Sequence, residues 1–159
     1  MVDARVRAWS QEMQQVHQRL RDALALARES VGDQPSGPLP SQPLTSDLLL
    51  YCWGFCAALG GHHRGEDAAL FPLVTAAHPE LAAVISQLSQ DHSMINHLIG
   101  AWQHDLEGGA GAPELLRHLE GIEAVMETHF RYEERRLLSV LDDLDLDGLS
   151  RNDLFGAIA

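Results

Sequence analysis

Residues 113–141, PELLRHLEGIEAVMETHFRYEERRLLSVL, place Leu115, Leu119, Ile122, Val125 or Met126, Leu137 and Leu141 three or four residues apart. That is the spacing of one face of an α-helix, and Pro113 suits its first turn. His129 and Glu133 stand on the same stripe, between Ile122 and Leu137. An i, i+4 spacing stacks the two side chains, so an imidazole and a carboxylate face one inward point. The question for the rest of the chain is whether other helices aim polar groups at the same depth.

They do. The first helix reads from Asp3 to Glu29, with Val6, Trp9, Met13, Val16, Leu20 and Leu24 on one face and His17 in the same register. Residues 30–45 are dense in proline, glycine and serine and predict a surface connection. The second helix starts near Ser46 or Asp47, both good N-caps, and runs through Leu48, Phe55, Leu59 and Leu70 toward Ala76. His62 and Glu66 repeat the i, i+4 pair between Leu59 and Leu73, and Pro72 predicts a kink or break just beyond the Glu66 turn. The third helix opens at His78-Pro79 and carries Leu81, Ile85, Leu88, Ile95, Ile99, Trp102 and Leu106, with His92 between Leu88 and Ile95. GGAGAP at 108–113 closes it. The acidic segment 142–159 predicts a short helix capped by Ser150, with Leu154 and Phe155 folding back on the bundle. No strand alternation competes. The expectation is one all-α domain over 1–159, an up-down-up-down four-helix bundle with its core over about 3–141.

Eleven basic against 23 acidic residues give a net charge of -12. Nucleic acid and anionic membrane need a positive footprint, so neither is expected as partner. MVDARVRAWSQEM at the start has no apolar signal region, and a cytoplasmic location is expected. Cys52 and Cys56 have a spacing poor for a disulfide and unlike C-x-x-C, and read as small buried hydrophobes; Met94 and Trp102 read as core fillers. DLDLDG at 143–148 imitates the start of a calcium loop, but its twelfth position is Leu154, so an EF-hand is rejected.

One core histidine is ordinary, since a backbone carbonyl satisfies it. Two buried glutamates are not, because an unpaired buried carboxylate costs several kcal/mol or stays protonated. Four histidines, His17, His62, His92 and His129, with Glu66 and Glu133 at one depth would destabilise the bundle without a cation. With one, each is paired. Imidazole plus carboxylate suits non-haem iron and manganese, and also accepts cobalt and zinc.

HHRGEDAALFP at 62–72, DHSMIN at 91–96 and HFRYEERRLL at 129–138, after the histidine of VHQRLRDAL, resemble the hemerythrin-like (HHE cation-binding) domain over residues 10 to 141. The resemblance implies a four-helix bundle with two irons joined by carboxylates and an oxo or hydroxo bridge. The implied ligands are His17, His62, Glu66, His92, His129 and Glu133, both glutamates bridging. His63 and Asp67 form a second i, i+4 pair one step round the same helix. A rotated helix would make His63 and Asp67 ligands in place of His62 and Glu66; the register of Phe55, Leu59 and Leu73 favours His62 and Glu66, with His63 and Asp67 then at the surface or orienting a ligand from outside. His78, His97, His104 and His118 fall off this face and read as surface or capping groups.

The chain departs from oxygen-carrying hemerythrins, which have a second histidine where Asn96 stands, and whose final carboxylate is spaced differently. Two octahedral irons offer about twelve positions; four histidines, two bridging carboxylates and one oxygen bridge fill about ten. Two open positions favour redox turnover over simple carriage. The expected partners are small molecules, O2, H2O2 or NO, with catalase-like or peroxidase-like activity first. The alternatives are an O2 or NO sensor or iron buffer without turnover, and an oxidative tailoring enzyme. Asn96 is a candidate contact to a metal-bound water, and Tyr132 or Tyr51 a candidate phenolate.

Overall fold

A computed structural model describes residues 8–32, 46–146 and 148–158. The elements are α1 (Trp9–Gly32), α2 (Ser46–Gly65), a π-helical turn (Glu66–Leu70), α3 (Phe71–Ala77), a 3-10 turn (Pro79–Leu81), α4 (Ala82–Glu107), α5 (Ala112–Leu141) and α6 (Arg151–Phe155). No strand occurs among the described residues. α1 packs against α2 and α5, α4 packs against α5, and α2 meets α4 to close the ring. This is the expected all-α bundle with a short C-terminal helix. The expected start of the first helix at Asp3, and most of the proline-rich connection, lie outside the described residues. Ser30, Val31 and Gly32 were read as connection but continue α1, because Val31 is still on its buried face.

The predicted stripes form the core. Met13, Val16, Leu20 and Leu24 meet Leu88, Ile95, Trp102, Leu119, Ile122, Met126, Leu137 and Leu141, all buried. Each such apolar side chain contributes about 1.5–3 kcal/mol relative to exposure. Met94 departs from the expectation of a core filler: it is 55% exposed. It stands one residue, or about 100° of helix, away from the buried Ile95. Leu73 is only partly buried, and Leu70 and Val74 take the core positions beside it.

Pro72 explains that shift. It has no N–H to continue the α-helical ladder, and its ring opposes the carbonyl four residues back. The chain widens instead of breaking: the Phe71 N–H donates to the Glu66 carbonyl, five residues back. Turns of this kind recur at functional sites, and this one begins at Glu66.

Cys52 and Cys56 are free and buried, as expected. Burial pushes both thiols up to about 12, and at Cys56 the neighbouring Cys52 adds to it. The thiolate is the reactive form, so both are expected to react with a disulfide reagent at neutral pH on the order of a thousandfold more slowly than free cysteine. Titrating thiols with and without denaturant checks this; two fast thiols in the folded protein would contradict it.

The C-terminal segment returns to the bundle. The Asp153 N–H donates to Ser150 Oγ and the Ser150 N–H to Asp153 Oδ2, a reciprocal cap on α6. Leu154 and Phe155 are fully buried. Arg151 pairs with the buried Glu12 of α1 at 3.2 Å, and Arg19 donates to the Ile158 carbonyl at 3.1 Å. Among the described residues, no helix is long and apolar enough to cross a membrane.

Candidate metal centre

At about 100° per residue, His62 and His63 diverge by one step, and Glu66, four residues on, projects about 40° from His62 and so between the two. All three are buried. A helix facing two points at once therefore presents HHxxE, with the carboxylate in the middle. α5 contributes His129 and Glu133 in the same stacked manner, and α1 and α4 contribute one histidine each, His17 and His92.

Together these seven side chains form two groups, each able to hold one metal ion. His63, Glu66, His92 and His129 make one; His17, His62, Glu66 and Glu133 make the other, with the donor atoms of each within 4.8 Å of one another. Glu66 belongs to both: its Oε1 lies 2.9 Å from His62 Nε2 and 3.7 Å from His92 Nε2. Glu133 also spans them, with Oε1 3.2 Å from His17 Nε2 and Oε2 3.3 Å from His129 Nε2. The six residues singled out in the sequence come together here. His63, the less favoured alternative to His62 by register, joins them: it is buried inside the three-histidine group, stacked on His92 with ring centroids 3.9 Å apart.

The outer ring nitrogens fix the inner ones. His17 Nδ1 donates to Glu134 Oε1 at 2.8 Å, His92 Nδ1 to Asp67 Oδ1 at 2.9 Å, and His129 Nδ1 to Asp91 Oδ2 at 3.1 Å. His62 Nδ1 donates to the Phe155 carbonyl at 3.0 Å. A carboxylate or carbonyl oxygen only accepts, so each of these imidazoles carries its proton on Nδ1 and, when neutral, turns a lone pair on Nε2 inward. Ser89 Oγ in turn donates to Asp67 Oδ1, and Gln87 Nε2 to Asp91 Oδ1. Asp67 thus orients the candidate ligand His92, one of the places the sequence leaves for it. Asp91 and Glu134 were not foreseen.

Inward-facing lone pairs are what make the centre fit a cation. His92 Nε2 and His129 Nε2 stand 3.1 Å apart, and as neutral rings would oppose each other there. Nε2 of His17 and of His62, both nitrogens of His63 and all four carboxylate oxygens of Glu66 and Glu133 are buried without a hydrogen-bond partner. Buried polar atoms are rarely left so. Without metal, protons take up part of the deficit. Burial, then the nearby Glu133, holds the Glu66 carboxyl well above the ordinary carboxylate range. Burial pushes Glu133 the same way, but the proximity of His129, His17 and Glu66 outweighs it and holds Glu133 well below. Burial lowers His17 and His129, yet Glu133 with Glu134 or Asp91 leaves both raised. Burial, then His17, lowers His62 to about 3, and burial and His92 lower His63 far below its usual range. Imidazole nitrogens and carboxylate oxygens are the donor set of iron, manganese and zinc.

The remaining candidates lie elsewhere. Asn96 and His97 are exposed on α4. Tyr51 is 38% exposed on α2, and Tyr132 is partly buried beneath the Arg135 guanidinium, 5.6 Å from its ring centroid. His104 is exposed, His78 pairs with Glu80 at 3.1 Å and His118 with Asp105 at 2.6 Å, in keeping with surface and capping roles.

A family model described as the hemerythrin HHE cation-binding domain matches residues 10–141 of the chain. No curated protein and no solved structure matches it.

Proposed function

Because the chain belongs to the hemerythrin HHE cation-binding family, we propose that it holds two iron ions, one between His63, His92 and His129 and one between His17 and His62, with Glu66 and Glu133 bridging. The observation that carries the functional reading is His63. With iron bound, a fifth histidine would raise the filled positions to about eleven of about twelve and leave about one. Redox turnover is favoured by two open positions, and His63 as a ligand would remove one of them. A single protected position fits reversible binding of O2 or NO.

Iron in this ligand set supplies reversible redox chemistry toward such small molecules. The chain's own residues supply the protection. Phe130 stacks on His17 with centroids 3.9 Å apart, and Phe155 lies over His62 at 6.1 Å, itself covered by Trp9 at 6.2 Å. These rings exclude water from the two-histidine side, which keeps a bound small molecule from being lost to proton-driven side reactions. A cavity of about 280 Å³ between α1 and α5 is lined by Arg21, Leu24, Arg28, Glu123, Met126 and Glu127, none of them a donor to the centre.

Iron analysis and azide titration followed by absorption test the reading. About two irons per chain and about one azide per iron pair are expected, rising toward two azides in His63→Ala. Peroxide added to the reduced protein is expected to be consumed stoichiometrically. Peroxide decay through many turnovers would overturn the binding reading and return catalase-like turnover to first place.

A further inference from the structure

The segment after Leu141 lies beyond the matched family region, yet it supplies the oxygen that orients a candidate ligand. Three of the histidines in the centre lean on carboxylates from a neighbouring helix, Asp67, Asp91 and Glu134. His62 leans on a neutral carbonyl, that of Phe155, and the bond is buried. A carbonyl at the end of a five-residue helix reaches a buried imidazole only if the backbone comes very close to α2. It does. A Cβ on Gly156 would stand 2.6 Å from the Gly61 carbonyl carbon and oxygen and 2.8 Å from the His62 nitrogen, and Gly156 has φ +83. A Cβ on Gly65 would stand 2.9 Å from the Gly156 nitrogen. Two glycines, one on each partner, therefore permit the approach, and only glycine takes the Gly156 conformation without strain. The cap at Ser150 and the Arg151–Glu12 and Arg19–Ile158 contacts hold the segment in place.

We propose that the C-terminal segment is a positioning element for the centre: through the Phe155 carbonyl it fixes His62 with its proton on Nδ1 and its lone pair on the two-histidine position. The metal consequence rests on the reading of the cluster as a metal centre; the imidazole consequence does not. Partners of this kind affect metal affinity about 10–100-fold. The loss falls on one of the two positions, because His63, His92 and His129 have no bond to the segment among those described.

The test uses full-length protein with 15N-labelled histidine. In metal-free wild type, His62 is expected to show a slowly exchanging Nδ1–H and the shifts of a single tautomer. Gly156→Ala is expected to lose that signal while His92 and His129 keep theirs, and Phe155→Leu, which retains the carbonyl, is expected to keep all three. Should Gly156→Ala fail to fold, Ser150→Ala, which removes only the cap, is expected to speed exchange of the His62 proton about five- to tenfold. On titration with iron(II), Gly156→Ala should bind one equivalent as wild type does and the second about 10–100-fold more weakly. Persistence of the His62 Nδ1–H signal in folded Gly156→Ala, or in Ser150→Ala unchanged exchange, overturns the proposal. Loss of the signal with neither protein binding metal upholds the positioning role and refutes the metal reading instead.

Discussion

Alanine at Glu66 is expected to take the metal content of the purified protein from about two ions per chain to near zero, while making the metal-free protein more stable. Opposite signs follow from the position of Glu66 in the molecule. It is a member of both donor groups, so its loss removes a ligand from each position, a larger effect than loss of an outer partner, itself about 10–100-fold. In the metal-free protein the same carboxyl is fully buried, without a hydrogen-bond partner at either oxygen, and forced toward its protonated form by burial and by Glu133. Removing it relieves that cost. Asp91→Ala makes the contrast: it frees only the outer nitrogen of His129 and is expected to weaken one position while leaving the other. Metal analysis together with thermal melts of the metal-free variants reads both effects. An Glu66→Ala protein that keeps two ions, or whose metal-free form melts lower than wild type, would sink the bridging assignment.

The stripes that made the helices legible also made most of the centre legible. His17, His92 and His129 interrupt apolar faces at the right period, and Ser150, Leu154 and Phe155 mark the returning C-terminal helix. Legibility stopped where one helix faces two points. The register of Phe55 and Leu59 marks a single line with room for His62 and Glu66, whereas two donor groups need an inward arc about 100° wide, which His63 fills. The outer partners follow the same geometry. Asp67 adjoins Glu66, Asp91 adjoins His92 and Glu134 adjoins Glu133, so each is turned one step from an inward residue and reaches the histidine of the next helix. The dipeptides ED, DH and EE beside the candidate ligands were that signal. The Phe155 carbonyl had none, because a backbone oxygen leaves no trace in side-chain pattern, and Gly65 and Gly156, which permit the approach, carry no periodicity of their own.

Acid is expected to unfold the metal-free protein at much higher pH than its core would suggest. His62 falls from 6.5 to about 3 in the folded protein, so the unfolded chain binds the extra proton between those values. Stability is lost as pH falls through that window, reaching about 5 kcal/mol near its lower end. His63 is lowered in the same sense, and Glu133, held well below 4.5, adds its own loss as pH falls beneath that value. Glu66, His17 and His129 act oppositely: each is raised on folding, so its contribution is present at low pH and lost as pH rises through its folded value. The metal-free protein is thus expected to be most stable at mildly acidic to neutral pH and to weaken on both sides. A domain has only about 5–15 kcal/mol in total, so the acid side alone is decisive. Metal replaces the protons these groups exchange, and a ligand at 100 to 1,000 times its Kd stabilises by about 2.7–4.1 kcal/mol, roughly 10 °C in Tm for a chain of this size. That gap should widen from neutral toward alkaline pH, where the metal-free centre has lost its protons and the loaded one has none to lose. Melts of both forms from pH 4 to 9 decide it. A metal-free protein whose Tm is flat across that range would mean that these buried groups do not titrate against an empty centre, and the electrostatic account of why the fold calls for a cation would have to be given up.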